Sequence, residues 1–438
     1  MKKPVQVDTD ITDLTHDGRG VAHVDGKALF VDAALPGEKV RVAVTRRHRH
    51  FDEGTVVEFF SRSPERVEPR CGHYDICGGC SLQHLALDAQ IRAKQRVLAE
   101  NFERIGKVAP EQWLPPLTGD AWGYRRKGRL SVRRVVKKDR VLVGFREKSN
   151  PRYVADIEHC DVVHPTLGAR IGLLGRMIDT LDAAADIPQI EFAAGDDIVA
   201  LVFRHLKPLG QRDQDILAGF GREHGFAIYL QPGGNTSVHP LWPEHPRLAF
   251  RFDEGALELE FQPLDFVQVN ADMNQRMLTH ALALLDPQPT DRVLDLFCGL
   301  GNFTLPIARR VAEAAGVEGE HALVERADAN AARNGIGNAR FHVANLFEDQ
   351  RHADWARQDW DKILLDPPRA GADKVLEYLP RKATRRVVYV SCHPASLARD
   401  AGILVREHGF RLKAAGVMDM FPHTAHVESI ALFERPEG

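Results

Sequence analysis

The chain has 438 residues and is 44% hydrophobic, so it is long enough for two or three domains with separate cores. We see neither a basic and then apolar leader nor an apolar run of about eighteen residues, so we expect a cytoplasmic protein that is not inserted in a membrane. The formal net charge is only -3, yet residues 121–150 carry eleven lysines and arginines against Asp139 and Glu147. Such a stretch predicts a nucleic-acid partner, the alternative being a solvated charged face.

Residues 5–60 consist of short runs of alternating apolar and polar residues, separated by glycines. This pattern predicts a small β-barrel. The segment 17–22 (DGRGVA), together with residues 28–31 and 35–38, resembles the TRAM domain, an OB-like RNA-binding barrel. The resemblance implies that residues 1–62 form such a barrel, and the basic residues Arg46, Arg47 and Arg49 fit RNA binding.

Residues 63–262 are expected to form a central α+β domain. Asp88–Arg104 is predicted to be a helix, because apolar residues recur at Ile91, Leu98 and Phe102. From Tyr124 to Gln262 strand and helix patterns are mixed, and the pattern indicates no chemistry for most of this section.

Residues 263–438 are expected to form an α/β, Rossmann-like domain. After Asp291, predicted strands alternate with helices, which is typical of a doubly wound and mainly parallel sheet. The strands are predicted at residues 292–297, 316–318, 341–344, 362–365 and 386–391, followed by a last pair around 412–418 and 427–433. The whole chain is therefore predicted to be a multidomain protein.

Polar residues follow four successive predicted strands of this last domain. The first strand runs into a glycine-rich turn at residues 298–303, where backbone amides can approach a ligand, and the next ends at Glu318, which is placed to bind ribose hydroxyls. The third ends at Asn345 and the fourth at residues 366–369 (DPPR). The set lacks the full dinucleotide fingerprint and carries the Asp-Pro-Pro motif, so it resembles an S-adenosylmethionine-dependent methyltransferase.

The residue after the two prolines indicates which kind of atom accepts the methyl group. Enzymes that methylate an exocyclic amine usually have an aromatic residue there, whereas this chain has Arg369. Methylation of carbon C5 of a pyrimidine instead needs a nucleophile that adds at C6. Cys392, at the end of the strand 386–391, can supply a thiolate, although a lone cysteine is more often a small buried thiol. Glu428, at the start of the neighbouring last strand, is the predicted base, the alternative being an ordinary edge-strand carboxylate.

The motifs DPPR-x-G (366–371), SCHP (391–394) and HVE (426–428) resemble those of the RNA uracil-C5 methyltransferase family. This resemblance implies that Cys392 is the nucleophile and Glu428 the base. It implies that the donor S-adenosyl-L-methionine is bound by Gln268, Phe297, Asn302, Glu318, Asn345 and Asp366. Phe266 could stack on an extruded uracil, but we expect it in the core.

Four other cysteines suit a metal centre. Cys71, Cys77 and Cys80 lie in a glycine-rich segment, and with Cys160 they could bind zinc or an iron-sulfur cluster, with zinc slightly favoured by spacing alone. The pattern CGGCSLQH (77–84) resembles the branch of the family that acts on 23S rRNA, which implies a 4Fe-4S cluster instead. Radical methylthiotransferases also combine TRAM with a cluster, but their cysteine spacing is absent here.

The resemblance thus implies methylation of one uridine of 23S rRNA to 5-methyluridine, and we expect the target in an unpaired loop whose bases can be splayed out. No membrane and no obligate protein partner are expected. A tRNA uracil-C5 methyltransferase, or a non-catalytic RNA-binding or ribosome assembly factor on the same scaffold, is the alternative.

Overall fold

A computed structural model of the chain describes residues 5–253, 255–379 and 383–436. The described part contains sheets of six, six and eight strands and one two-stranded hairpin. Two pieces of the predicted terminal domains, residues 1–4 and 437–438, lie outside the described residues. Within the described ranges no helix combines the length and the apolarity needed to cross a membrane.

The N-terminal sheet has the order β1-β5-β6-β4-β3-β2 and forms the predicted small barrel. A backbone hydrogen bond of 2.8 Å from Thr12 to Val21 joins the chain after β1 to β3, so that the two sides of the sheet meet. Alternate residues point into a small apolar core that includes Ala22, Val31 and Val42. The strands are β1 (Gln6–Asp10), β2 (Asp13–Leu14), β3 (Gly20–Val24), β4 (Lys27–Asp32), β5 (Lys39–Arg47) and β6 (Phe51–Ser61).

A long helix, α1 (Leu87–Asn101), follows the cysteine segment and continues into a π-helical turn, Phe102–Gly106. Ile91, Leu98 and Phe102 are buried, as the periodicity predicts. After this turn comes a two-residue strand, β7 (Gln112–Trp113).

The middle of the chain forms a mixed sheet of order β13-β12-β11-β10-β8-β9 with helices packed on it, and then a hairpin, β14-β15. These elements agree with the predicted α+β character. Their bounds are β8 (Lys127–Val135), β9 (Arg140–Gly144), α2 (Pro165–Gly168), α3 (Ile171–Asp179), β10 (Gln189–Ala194), β11 (Val199–Arg204), α4 (Gln211–His224), β12 (Phe226–Gln231), β13 (His239–Trp242), β14 (Leu248–Phe252) and β15 (Leu257–Phe261).

The C-terminal sheet is doubly wound, in the order β18-β17-β16-β19-β20-β22-β21-β7. Its first five strands are parallel, β22 is antiparallel to β20 and to β21, and β7 adds a parallel edge. The elements are α5 (Ala271–Leu285), β16 (Arg292–Leu296), α6 (Thr304–Ala308), β17 (Glu313–Glu318), α7 (His321–Arg333), β18 (Ala339–Val343), α8 (Asp354–Arg357), β19 (Lys362–Leu365), α9 (Asp373–Tyr378), β20 (Arg386–Ser391), α10 (Pro394–Arg406), β21 (Arg411–Met418) and β22 (Glu428–Glu434).

Five of the eleven lysines and arginines at residues 121–150 form ion pairs in the structure. Arg126 pairs with Asp196, Arg129 with Glu191, and Arg134 with Asp179. Lys138 and Arg140 share Asp156. Acids from other segments therefore balance part of the local excess of positive charge, which the sequence count did not anticipate.

Candidate functional site

A cavity of about 510 Å³ opens at the carboxyl edge of the C-terminal sheet, and we call it the donor cavity. Parallel strands place their carboxyl ends at the same edge, so residues far apart in sequence meet there. The structure brings every predicted donor-binding and catalytic residue to the wall of this one cavity: Gln268, Phe297, Asn302, Glu318, Asn345, Asp366, Cys392 and Glu428.

The turn after β16 forms the floor of the cavity in a strained conformation. Phe297 has a φ of +66°, which is uncommon for a residue with a side chain, and Gly299 and Gly301 also have positive φ. The amides of Phe297 and Cys298 both donate to the carbonyl of Val317, at 2.9 and 3.1 Å. The turn is thereby fixed against β17.

Glu318 is held by backbone amides on three sides. One carboxylate oxygen accepts from the Gly299 amide at 3.1 Å, and the other accepts from the amides of Gly319 at 2.7 Å and Glu320 at 3.1 Å. Such contacts fix the orientation of a carboxylate. The residue is thus placed as a hydrogen-bond acceptor for a ligand in the cavity.

Asn302 is held by a residue that the sequence did not single out. Asn274 of α5 donates its side-chain amide to the Asn302 side-chain carbonyl at 3.1 Å, and Asn302 donates back at 3.0 Å. Asn274 is 4% exposed, whereas Asn302 is only partly buried. Nothing in the spacing of the sequence points to Asn274, because α5 meets the turn only through the fold.

Asn345 lies at the exposed rim of the donor cavity. Its side-chain carbonyl accepts from the Phe347 amide at 3.1 Å, and its side-chain amide donates to Glu348 at 2.8 Å. The rings of Phe347 and Phe297 lie 5.8 Å apart between centroids. Two aromatic rings therefore flank one end of the cavity, where a flat ligand group can pack.

The loop that carries Gln268 is anchored to the central domain. Lys127 donates its ammonium to the carbonyl of Pro263 at 2.7 Å and to that of Asp265, and the Arg126 amide donates to the Val269 carbonyl at 2.7 Å. Phe266 on this loop is 68% exposed and lines the donor cavity. The expectation that Phe266 lies in the core is wrong, because the loop turns its ring outwards.

Cys392 and Glu428 come from neighbouring antiparallel strands. Ser391 and Ser429 are register partners, so Cys392 and Glu428 follow as the next opposed pair at the ends of β20 and β22. Opposed residues project to the same side of a sheet. Glu428 is 3% exposed, whereas Cys392 is only partly buried.

The acidic groups around Cys392 favour their protonated forms. Burial, followed by the charges of Glu428 and Asp366, raises the pKa of the Cys392 thiol to about 11, against a lowering effect of Arg369. Burial raises the pKa of Asp366 to about 7. Burial and the neighbouring Asp366 raise the pKa of Glu428 well above its ordinary value. A cationic ligand placed among these groups would favour their anionic forms.

A second and larger space of about 940 Å³, the cleft, adjoins the donor cavity. Cys392 and Arg369 line both spaces. The other walls of the cleft come from the barrel, the cysteine segment, α1 and the loop before β22, including Thr15, His16, Ser81, Arg96, Arg125 and His426. Cys392 therefore lies between a compact cavity and a cleft open to a larger molecule.

The four remaining predicted ligands, Cys71, Cys77, Cys80 and Cys160, line a third and much smaller cavity. Burial raises the pKa of the Cys80 thiol, and the nearby Cys160, Cys77 and Cys71 raise it further. Among the residues that the structure describes, no group of three or more His, Cys, Asp or Glu side chains is arranged to hold a metal ion. The four cysteines thus share a cavity, but their spacing is not that of a formed metal site.

Comparison with known proteins gives two family matches and full-length relatives. The tRNA (Uracil-5-)-methyltransferase family model matches residues 250–436, and the TRAM domain model matches residues 6–57. A 23S rRNA (uracil(1939)-C(5))-methyltransferase RlmD of Xanthomonas oryzae pv. oryzae is 62% identical over 98% of this chain and 97% of its own length. The enzyme of the same description from Xylella fastidiosa is 60% identical over the same shares of the two chains.

Among solved structures, the tRNA (uracil-54, C5)-methyltransferase of Pyrococcus abyssi, in complex with S-adenosyl-L-homocysteine, has a TM-score of 0.74. It is 24% identical, and the match covers 97% of this chain and 99% of the other. This likeness supports the fold, and the much higher identity of the bacterial relatives establishes kinship. The chain belongs to the RNA uracil-C5 methyltransferase family.

Proposed function

We propose that this protein transfers a methyl group from S-adenosyl-L-methionine to C5 of one uridine in 23S rRNA, through a covalent bond between Cys392 and C6 of the base. The observation that carries the proposal is the position of Cys392. It lies where the donor cavity meets the cleft, and its strand register places Glu428 opposite it. A nucleophile, a base and room for two substrates thus meet at one point.

The donor cavity suits the parts of S-adenosyl-L-methionine. Glu318, fixed by three backbone amides, is placed to accept from the ribose hydroxyls. Phe297 and Phe347 offer aromatic surface for the adenine, and Asn302, Asn345 and Gln268 offer polar contacts. When bound, the donor supplies an electrophilic methyl group on a positively charged sulfonium.

The same positive charge would activate the catalytic groups. Cys392, Asp366 and Glu428 all have raised pKa values, so each is biased towards its neutral form in the donor-free protein. A sulfonium beside them lowers these pKa values, because an adjacent cation favours an anion. Arg369 acts on Cys392 in the same direction. Binding of the donor and formation of the thiolate are therefore coupled.

Cys392 starts the chemistry. Its thiolate forms a bond to C6 of uracil, and the electron pair of the C5–C6 double bond moves into an enolate that spans C5 and O4. C5 then bonds to the methyl carbon of the donor. The bond between that carbon and the donor sulfur breaks, and its electron pair stays on sulfur. This covalent route replaces one difficult substitution by two easier steps.

Glu428 completes the reaction. Its carboxylate removes the proton from C5, the C5–C6 double bond forms again, and the C6–S bond breaks to release the Cys392 thiolate and 5-methyluridine. The methylated adduct has to lie next to Glu428 for this step. The opposed positions of the two residues on β20 and β22 support that placement.

Phe266 is the proposed support for the target base. Its ring is 68% exposed, lies on the wall of the donor cavity, and sits two residues before Gln268. Enzymes that act on a base inside RNA must extrude it and stack it on an aromatic or apolar side chain. An exposed aromatic ring on the wall of the cavity that Cys392 also lines suits that purpose.

The choice of 23S rRNA rests on the relatives. Proteins that are 60 to 62% identical over nearly the whole chain are described as 23S rRNA methyltransferases, whereas the tRNA enzyme is only 24% identical. The TRAM barrel and the cleft that it borders provide a surface for RNA. A ribosomal RNA substrate also implies a cytoplasmic protein.

We further propose that Cys71, Cys77, Cys80 and Cys160 hold a 4Fe-4S cluster. Four thiols around one small cavity are the donor set that such a cluster requires. With all four irons bound by the protein, the cluster would serve the fold or the RNA contact rather than the methyl transfer.

The test is an assay with S-adenosyl-L-methionine labelled in its methyl group. Unmethylated 23S rRNA and unmethylated tRNA are incubated separately with the protein, and nucleosides are separated after digestion. Labelled 5-methyluridine in 23S rRNA supports the proposal. Label in tRNA alone would make the protein a tRNA enzyme, and no label in either RNA would favour a non-catalytic RNA-binding or assembly factor.

A further inference from the structure

The loop between β21 and β22, residues 419–427, leads directly into Glu428 and lies between the donor cavity and the cleft. Phe421 lines the donor cavity, whereas Thr424 and His426 line the cleft. We call it the base loop. Its conformation helps to set where Glu428 enters the site, because β22 begins at that residue.

The cysteine segment holds the middle of the base loop. The amides of Ser81 and Leu82 both donate to the carbonyl of His423, each at 2.9 Å, and the Ser81 hydroxyl accepts from the Ala425 amide at 3.2 Å. His423 has a φ of +65°, an uncommon value for a residue with a side chain. Such a conformation persists only where surrounding contacts impose it.

Gln90 of α1 connects the same two segments. Its side-chain carbonyl accepts from the His423 amide at 2.9 Å, while its side-chain amide donates to the carbonyls of Leu82 at 3.0 Å and Leu85 at 2.8 Å. Gln90 is 1% exposed. Since buried polar groups need their partners, loss of this side chain would leave amides and carbonyls of both segments unsatisfied.

The start of the base loop is held by residues of α1 and of the segment 122–124. Lys94, also on α1, donates to the Asp419 carboxylate at 2.7 Å and to the Phe421 carbonyl at 2.9 Å. The Tyr124 hydroxyl donates to the Pro422 carbonyl at 3.0 Å, and the Trp122 ring lies 4.0 Å from that of His423. These contacts all come from residues outside the strands that carry the donor cavity.

We propose that Gln90 and Ser81 are positioning residues for Glu428, so that the cysteine segment and α1 set the geometry of the proton-removal step. The proposal rests on the function proposed above and assigns the cysteine segment a part in it. Cys80 immediately precedes Ser81, so whatever orders the four cysteines also orders the contact to His423. The link is independent of the donor cavity, whose walls these residues do not form.

The proposal predicts a specific kinetic defect. If Glu428 is displaced, addition of Cys392 and methylation of C5 still proceed, but the C5 proton is removed slowly. The covalent protein–RNA adduct then accumulates, whereas a general loss of structure would weaken donor binding and yield less adduct. Adduct accumulation therefore separates a positioning role from a merely structural one.

The experiment compares Gln90→Leu and Ser81→Ala with the full-length wild type. Turnover on unmethylated 23S rRNA, adduct on denaturing gels and the Kd for S-adenosyl-L-methionine are measured together. We expect turnover to fall by about tenfold in Gln90→Leu and less in Ser81→Ala, with adduct accumulating as it does in Glu428→Gln and donor Kd within about twofold of wild type. Gln214→Leu on α4, which removes a glutamine contact to the Leu209 carbonyl far from the base loop, is the control and should behave as wild type.

Wild-type turnover in both variants, or lost turnover without adduct, would overturn the proposal. If Gln90→Leu does not fold, Ser81→Ala decides, because it removes only the hydroxyl contact to Ala425. If the wild type makes no 5-methyluridine, or Glu428→Gln traps no adduct, the proposed function itself is wrong and the positioning role falls with it. If Glu428→Gln traps adduct and Ser81→Ala does not, only the positioning role is wrong.

Discussion

The Ser429 hydroxyl donates to the Ser391 carbonyl at 3.1 Å, across the antiparallel pair β20 and β22. This buried contact fixes the register of the two strands next to the site. Each serine is adjacent to a proposed catalytic residue, Cys392 or Glu428. A shift by one residue would turn one of the two side chains to the other face of the sheet.

Replacement of Cys392 by alanine is expected to abolish methylation of 23S rRNA, because it removes the proposed nucleophile for C6 of the uracil. Binding of S-adenosyl-L-methionine should change little, since the alanine removes only the thiol from the wall of the donor cavity. Incorporation of labelled methyl into 23S rRNA checks the loss of methylation, and equilibrium binding of S-adenosyl-L-methionine checks the donor affinity. Methylation by the alanine variant would show that catalysis is not covalent.

Replacement of Glu428 by glutamine should leave the first steps intact and block removal of the C5 proton. A protein–RNA adduct that survives denaturation is then expected to accumulate in the presence of donor, with turnover reduced by at least about a hundredfold. Glu434→Gln, at the other end of β22, is the control, because it only weakens an ion pair with Arg386. Rapid turnover by Glu428→Gln without adduct would mean that another group is the base.

Much of the fold could be predicted from the sequence because the C-terminal strands are short apolar runs that end in polar residues. The predicted strands 362–365 and 386–391 coincide with β19 and β20. Buried parallel strands produce such runs, and their carboxyl ends meet at one edge, so the strand pattern alone groups Glu318, Asn345 and Asp366.

Other features depend on contacts that no local pattern encodes. β7 joins the C-terminal sheet from about three hundred residues away in sequence, through β21. Asn274 reaches Asn302 only because α5 packs beside the turn, and the charge of the basic stretch is partly balanced by distant acids such as Asp196 and Glu191. Gln268 is indicated by the family resemblance alone, because its loop has no periodicity.

The cysteine quartet gives a prediction that can be tested by analysis of metal content. Cys80→Ser is expected to lose the iron and sulfide of the anaerobically purified protein, whereas the Kd for S-adenosyl-L-methionine should stay unchanged because the two cavities are separate. Cys298→Ala is the control for iron content, since Cys298 is buried in the turn after β16 and does not line the cavity of the four cysteines. A colourless and active wild type that contains zinc would contradict the cluster.

The reciprocal amide pair gives a prediction for donor affinity. Asn274→Leu removes both hydrogen bonds to Asn302 and leaves that side chain without its partner, which should weaken donor binding by about tenfold, or about 1.4 kcal/mol. Turnover at saturating donor should change much less. Thr279→Ala on the exposed side of the same helix is the control. Unchanged donor affinity in Asn274→Leu would show that Asn302 does not need this support.

Asp366 should make the affinity for S-adenosyl-L-methionine dependent on pH near neutrality. Burial raises the pKa of Asp366 to about 7, so the donor-free protein binds a proton there that an ordinary aspartate would have released. A raised acid pKa means that the free energy of unfolding of the donor-free protein decreases as the pH rises from about 4 towards 7. The sulfonium favours the carboxylate, so donor binding is stronger above pH 7 than below it.

The neutral thioether S-adenosyl-L-homocysteine lacks this charge and serves as the reference ligand. Between pH 6 and pH 8 the affinity for the donor relative to that for the homocysteine product should rise by about tenfold, which equals about 1.4 kcal/mol. Isothermal titration calorimetry in two buffers would also detect proton release on donor binding below pH 7. Asp366→Asn should reduce the pH dependence of the ratio between pH 6 and pH 8, because its amide cannot ionise. A constant ratio in the wild type would mean that the sulfonium lies away from Asp366 and would contradict the proposed coupling of donor binding to the charge of the groups around Cys392.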